Sequence, residues 1–376
     1  MELMVVAGEP SGDQHAASLV AALKQRDPSL TFFGMGGEKL LAQGLEPVHH
    51  IRELSVMGLV EVLPKLPHIF TMLRSLEAQA ARRRPACAVL VDVPDFNFRL
   101  ARRLKRLGIP VIWYVAPTVW AWREGRTRLL EALVDRLLCI LPFEEKFLRD
   151  RGVNATYVGN PVVEQVPDAG PPQPFRRELG LDEHREVVAV LPGSRRSEIA
   201  RLLPTLVEAS KRLVAQRPGL QVVVPIAPGL DRATVIGPFE RAGVSATFVD
   251  GRAPQCVGAS TLALVASGTA TLEAGLMRRP LVAMYRLNAI SYLVGRAMVK
   301  LDHFCLVNLL AGERVVPELL QGAMTPEAIV AAAEPLWSGP EREKCLAGLD
   351  RVRTVLGPKG TSARAAQAVL ELIASR

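Results

Sequence analysis

The stretch Ala88-Val89-Leu90-Val91-Asp92-Val93-Pro94-Asp95-Phe96-Asn97 decides the fold class. Its first four residues carry no polar side chain, the pattern of a strand covered on both faces. An acidic, proline-containing turn follows, and then Phe96–Leu107 shows helical periodicity. Strand, turn and helix in this order form the repeating unit of a parallel α/β sheet. Working outward, the first half of the chain repeats the unit. Leu3–Ala7, Thr31–Gly34, Val111–Val115 and Arg136–Leu141 read as strands, and Ala16–Lys24 and Phe70–Arg82 as helices.

The alternation stops at Val166–Pro174, VPDAGPPQP, where four prolines and a glycine exclude a helix or a central strand. It restarts with strands expected at Val187–Leu191, Gln221–Pro225, Thr247–Val249, Thr261–Val265 and Leu281–Met284. Helices are expected at Leu202–Gln216, Thr269–Gly275, Thr325–Pro335, Arg342–Leu356 and Ser362–Ala374. The expected architecture is two doubly wound, Rossmann-like domains facing each other across a cleft. Residues 1–165 form the first domain, 175–340 the second, and the helices of 341–376 pack back on the first. A chain of 376 residues suits two domains.

Ligands of such sheets bind outside the carboxyl ends of the strands, so the loops there are the candidate sites. The first is Gly8-Glu9-Pro10-Ser11-Gly12-Asp13. Its glycines permit a close backbone approach, and Ser11 and Asp13 can cap the helix. The second holds Asp92 and Asp95. Asp95 is either a general base, with Asp92 as supporting acid, or an N-cap of the helix from Phe96. The third, Gly193-Ser194-Arg195, offers amides and a guanidinium to phosphate oxygens. The fourth, Ser267-Gly268-Thr269-Ala270, opens a helix on whose first turns a diphosphate can lie, with Glu273 set to accept ribose hydroxyls. Asn308, an amide in an apolar run, is either a structural hydrogen bonder or a ligand contact.

Composition narrows the chemistry. Lys and Arg exceed Asp and Glu by 46 to 38, a net charge of +8 that favours a phosphate-bearing ligand or an anionic surface. Aromatics at 5% are too few for base-stacking platforms, so nucleic acid is not the expected partner. The five dispersed cysteines argue against a disulfide framework or a thiolate zinc site. The six histidines show no metal-binding spacing, and His49-His50 reads as a surface pair. No metal and no cofactor are expected. The sequence shows no signal peptide or spanning segment, so a cytoplasmic location is expected.

Together these loops resemble the lipid-A-disaccharide synthase family, inverting glycosyltransferases of the two-domain GT-B type. The resemblance rests on AGEPSGD (Ala7–Asp13), GMGG (Gly34–Gly37), LSVMGLVEVLP (Leu54–Pro64), DVPDFN (Asp92–Asn97) and YVAPTVWAWR (Tyr114–Arg123). It continues through VGNP (Val158–Pro161), LPGSRRSEI (Leu191–Ile199), ASGTATLE (Ala266–Glu273) and NLLAG (Asn308–Gly312). Pro10 stands where the family usually has Ala. The resemblance implies UDP-2,3-diacylglucosamine as donor and 2,3-diacylglucosamine 1-phosphate (lipid X) as acceptor. Asp95 would be the catalytic aspartate, Arg195 the phosphate-gripping arginine and Asn308 a functional asparagine. It also allows a homodimer. The alternatives are another GT-B UDP-sugar transferase, a UDP-GlcNAc epimerase, or a non-catalytic binding module. Acylated substrates call for an apolar groove, for which Val56, Met57, Leu59, Val60, Val62 and Leu63 are the candidates. With nearby basic groups such as Arg82–Arg84, they imply peripheral binding at the inner face of the inner membrane.

Overall fold

The computed structural model describes residues 1–54, 66–286 and 302–376. The candidate groove residues Val56–Leu63 lie outside the described residues. The chain divides into two units, Met1–Pro161 with Pro358–Arg376, and Val162–Gly357.

Unit 1 is built on seven parallel strands. These are β1 (Glu2–Ala7), β2 (Thr31–Gly36), β3 (Leu45–His50), β4 (Ala88–Val91), β5 (Val111–Tyr114), β6 (Arg136–Cys139) and β7 (Ala155–Tyr157), in spatial order 3-2-1-4-5-6-7. Helices α1 (Pro10–Arg26), α2 (Glu38–Ala42), α3 (Leu66–Arg83) and α4 (Pro94–Arg106) fill the early crossovers. Short helices α5 (Val119–Trp122) and α6 (Thr127–Leu133), then α7 (Pro142–Arg149), follow β5 and β6. The strands alternate between two apolar layers. Met4 and Val6 join one, and Leu3, Val5 and Ala7 the other. Full burial of one such side chain contributes about 1.5–3 kcal/mol, so covering both faces is what stabilises the sheet.

Unit 2 opens with α8 (Val162–Gln165) and α9 (Gln173–Glu178). Its six parallel strands are β8 (Val187–Leu191), β9 (Gln221–Ile226), β10 (Thr247–Asp250), β11 (Leu262–Ala266), β12 (Leu281–Tyr285) and β13 (Glu318–Leu320), in order 10-9-8-11-12-13. Helices α10 (Arg196–Gln216), α11 (Arg232–Arg241), α12 (Ala253–Ala259) and α13 (Thr269–Leu276) lie between them in sequence.

The boundaries differ from those read in the sequence. The proline-rich stretch belongs to unit 2, because Arg279 donates to the Gly170 carbonyl at 2.7 Å and Arg353 pairs with Asp168 at 3.4 Å. The division falls before it, and Val162, Val163 and Val166 are buried. At the other end the helix Pro340–Leu356 stays with unit 2. Only Thr361–Ala374 returns to unit 1, placing Ala365, Ala366 and Val369 in the layer that also holds Ala16, Leu19 and Leu23 of α1. His49 and His50 are not a surface pair. They sit half-buried on β3, where His49 Nδ1 meets Glu53 at 3.0 Å and His50 Nε2 lies 3.5 Å from Glu38.

Candidate functional site

Each sheet reverses its strand order once, between β1 and β4 in unit 1 and between β8 and β11 in unit 2. The four candidate loops follow these four strands, at the two switch points where doubly wound sheets bind ligands.

In unit 1 the loops after β1 and β4 interlock. Asp92 and Val93 both have left-handed backbones, φ 54° and 40°. A β-branched residue there is strained by about 1–3 kcal/mol. The buried Asn97 side chain holds the turn by donating to the Asp92 carbonyl at 2.7 Å and the Val91 carbonyl at 3.3 Å. Val93 then fills the space a side chain at Gly8 would need, since a Cβ on Gly8 would fall 2.6 Å from Val93 Cγ2.

The N-cap of α4 is Val93, with Pro94 opening the helix, so Asp95 lies inside the first turn and does not cap it. Its side chain is 73% exposed and bonds Arg126 at 2.6 Å, with Arg123 at 3.8 Å. Both arginines belong to the turn after α5, and the Arg126 guanidinium rests over the Phe98 ring. The carboxylate is thus fixed by charge while remaining open to solvent, near the amide dipoles of α4. The turn is anchored from behind. Trp120 Nε1 donates to Glu144 Oε1 at 3.0 Å, and burial pushes the Glu144 carboxyl up to about 7.

Asp13 has a different role. The helix starts at Pro10, so Ser11 and Asp13 lie within its first turn and neither caps it. The buried Asp13 carboxylate instead accepts the amides of Gly37 (2.7 Å), Lys39 (3.1 Å) and Leu40 (3.3 Å), capping α2. This explains the glycine run, since a Cβ on Gly37 would lie 2.7 Å from Asp13 Oδ2. Beside Asp13, burial and then the Lys39 charge lower the His15 imidazole to about 4.

In unit 2 the loop after β8 already holds an anion. The Glu198 carboxylate accepts the amides of Ser194 (3.1 Å) and Arg195 (3.2 Å), and Arg195 Nη1 donates to its other oxygen at 3.2 Å. Residue spacing could have revealed this, because Glu198 stands three residues after the N-cap Arg195, the capping-box position. After β11, the Ser267 amide is used by the Met284 carbonyl at 2.6 Å. The first-turn amides of α13, opened by Gly268, have no intrahelical acceptor. Glu273 is half-buried, and burial raises its carboxyl above the ordinary range. Among the described residues no ion pair or hydrogen bond engages it.

Asn308 is fully committed to the fold. Nδ2 donates to the Val316 carbonyl (2.8 Å) and Glu318 Oε1 (2.6 Å), and Oδ1 accepts the amides of Val315 (2.8 Å) and Val316 (2.9 Å). Both donors and both lone pairs are used, and the side chain is buried. Of the alternatives open in the sequence, the structure takes the structural one. Among the described residues no group of three or more His, Cys, Asp or Glu could hold a metal ion.

In chemical terms, unit 1 presents an arginine-held carboxylate to solvent. Unit 2 presents amides, a guanidinium and an unpaired carboxylate. The first suits proton abstraction, and the second suits a nucleoside diphosphate.

Comparison with known proteins agrees. The Lipid-A-disaccharide synthetase family model matches residues 3–372. The lipid-A-disaccharide synthase of Myxococcus xanthus (strain DK1622) is 58% identical over 372 residues, covering 99% of this chain and 97% of the relative. Among solved structures, the UDP-GlcNAc 2-epimerase from Neisseria meningitidis bound to UDP-GlcNAc superposes with TM-score 0.66 at 14% identity, covering 100% of both chains. The calicheamicin glycosyltransferase CalG4 superposes with TM-score 0.64 at 17% identity, covering 100% of this chain and 98% of that one. These two share the fold. With two parallel-sheet α/β domains of GT-B type, the chain belongs to the lipid-A-disaccharide synthase family and is a glycosyltransferase.

Proposed function

We propose that the protein transfers 2,3-diacylglucosamine from UDP to the 6-hydroxyl of 2,3-diacylglucosamine 1-phosphate, giving the β-1',6-linked disaccharide 1-phosphate and UDP. The observation that carries this reading is the exposed Asp95 carboxylate at the end of β4, held by Arg126. Asp95 takes the acceptor hydroxyl proton as that oxygen bonds to the anomeric carbon. The bond from the same carbon to the UDP oxygen breaks, and its electron pair leaves on the diphosphate. Attack opposite the leaving group inverts the anomeric centre. Unit 1 receives the acceptor beside the loop Gly8–Asp13, with Asp92 shaping the turn that carries the base.

Unit 2 receives the donor. Arg195 and the first-turn amides of α13 offset the diphosphate charge as it develops. Glu273 accepts the ribose hydroxyls, a role supported by its lack of any other partner among the described residues. Asn308 acts on the site only through the segment it holds. The test is direct: the purified protein given both acylated sugars should release UDP and form the disaccharide, and omission of either sugar should abolish release.

The acylated substrates also motivate binding at the inner face of the cytoplasmic membrane. No helix among the described residues is long and apolar enough to cross a membrane. On α3, directly after the apolar stretch Val56–Leu63, Phe70 is exposed beneath the Arg99 guanidinium, an apolar group paired with a cation. Arg83 is excluded from this role because it pairs with Glu2 and Glu46. Flotation with anionic liposomes should fall for Phe70→Asp and in high salt, and unchanged flotation in both would overturn membrane binding through α3.

A further inference from the structure

Glu198 is the one residue of the loop after β8 whose chemistry opposes its neighbours' assigned task. Three donors converge on its carboxylate, the Ser194 amide, the Arg195 amide and the Arg195 guanidinium. Such convergence is the geometry of an anion seat. An ordinary capping box engages the N-cap amide alone. Here the carboxylate also takes the amide before the N-cap and the side chain of the N-cap residue. The loop is shaped around it. Gly193 has φ 113°, and a Cβ there would fall 2.7 Å from Glu198 Oε2, so only glycine admits the carboxylate.

The contacts are at the same time weak. All lie at 3.1–3.2 Å, longer than the roughly 2.7–2.9 Å of strong charge-assisted bonds. The Glu198 side chain is 32% exposed, so it can leave the seat without unfolding α10. The Tyr285 phenol is raised by burial and then by the Glu198 charge, which sets this residue at the end of β12 close to the same seat.

We propose that Glu198 is a resident competitor of the donor's diphosphate, occupying its seat in the empty protein, exchanging with phosphate oxygens on binding, and returning to expel UDP after transfer. The proposal rests on the reading that this loop receives the diphosphate. A diphosphate brings more negative charge than a carboxylate and wins the donors when present. The competition lowers nucleotide affinity and speeds product release.

The experiment is calorimetry of UDP and of uridine with the full chain carrying Glu198→Gln or Glu198→Ala, and with Arg195→Ala in parallel. Glu198→Gln keeps shape and hydrogen bonding without the charge, so it guards against a loop that fails to fold. Expected is UDP binding tighter by up to about tenfold, the scale of one charged hydrogen bond, with uridine unchanged. UDP product inhibition should strengthen in step. UDP affinity unchanged or weakened in a folded Glu198→Gln protein would overturn the proposal and leave Glu198 a helix cap. If Arg195→Ala meanwhile loses UDP but not uridine affinity, only the competitor role falls. If Arg195→Ala leaves the preference for UDP over uridine intact, the diphosphate reading of the loop falls as well.

Discussion

The two switch points solve opposite electrostatic problems with the same topology. At β1/β4 the backbone is strained so that a carboxylate faces outward, and later side chains supply the cations that hold it. At β8/β11 the amides and a guanidinium face outward, and a carboxylate of the following helix fills them. The first is built to attract a proton and the second to attract an anion. The difference lies in which groups end the strands, acids on a left-handed turn after β4 and glycine with serine after β8. The comparison suggests that a duplicated architecture becomes a two-substrate enzyme through a few strand-end residues.

The sharpest way to break the comparison is Asp95→Asn. A general base contributes about 10²–10⁴-fold, and turnover should fall by that factor while UDP affinity stays within twofold or so. The amide keeps a hydrogen-bond acceptor for Arg126, so the turn persists. Equal loss of turnover and UDP affinity would mean that Asp95 serves binding, and the contrast between the switch points would collapse.

Next in size is a pH effect internal to unit 1. Glu144 is raised from 4.5 to about 7, and His15 is lowered from 6.5 to about 4. For Glu144 the folded state holds the proton more tightly, so its stability is full below 4.5 and is lost as pH rises through 7. For His15 the unfolded state holds it more tightly, so stability is full above 6.5 and is lost as pH falls through 4. The windows nearly coincide with opposite signs, and the two effects nearly cancel in the wild type. Removing one should expose the other. Denaturant melts of Glu144→Gln should lose up to about 3 kcal/mol relative to wild type on going from pH 7 to 4.5. Melts of His15→Asn should lose a similar amount on going from pH 4.5 to 7. Parallel profiles for all three proteins would show that neither group is as dehydrated as its surroundings imply.

Central strands were legible in the sequence and edge strands were not. Ala88–Val91 and Val187–Leu191 match β4 and β8 residue for residue, because a strand covered on both faces leaves an uninterrupted apolar run. The unforeseen strands β3, β7 and β13 all lie at sheet edges. Edge strands are half-solvated, and β3 carries Pro47 and two histidines, so no periodic signal marks them. The site divides the same way. Asp95, Arg195 and Glu273 stand at strand ends where topology alone directs attention. The residues that hold them come from elsewhere in sequence or depend on rotamer: Arg126 is 31 positions from Asp95. Asn308 shows the limit of composition, since a buried amide looks alike whether its partners are backbone or ligand.

A smaller effect separates the two ends of the nucleotide at β8/β11. Arg195→Ala should weaken UDP about tenfold and leave uridine unchanged, as expected for loss of one charged hydrogen bond. Glu273→Ala should weaken UDP and uridine by equal factors, because the ribose is common to both. Glu273 also carries a sign check, since burial raises its carboxyl and ribose binding through the carboxylate should weaken as pH falls toward that raised value. If Arg195→Ala costs uridine as much as UDP, the guanidinium grips the nucleoside, and the diphosphate must rest on α13 alone.

The smallest effect tests how the loops at β1/β4 interlock. The sequence offers Gly8 and Gly12 as equivalent glycines of one turn, but the structure makes them opposites. A methyl at Gly8 would sit 2.6 Å from Val93 Cγ2 and 2.7 Å from Leu54 Cδ2. Val93 is held by its left-handed backbone and cannot retreat without undoing the Asp92–Asn97 turn, so Gly8→Ala should destabilise unit 1 and reduce turnover together. A methyl at Gly12 meets Val91 Cγ1 at 3.6 Å and Ala7 Cβ at 3.8 Å, ordinary packing distances inside α1. Alanine in place of a helical glycine with space for it gains about 0.4–1 kcal/mol, so Gly12→Ala should raise the melting temperature by a few degrees. Activity decides what Gly12 is for. Unchanged turnover makes it a helix position and confines the acceptor contact to Gly8–Ser11. A raised KM at unchanged kcat would mean that the acceptor approaches the α1 backbone at Gly12, and the β1 loop would join Asp95 as a substrate-facing element of the unit 1 switch point.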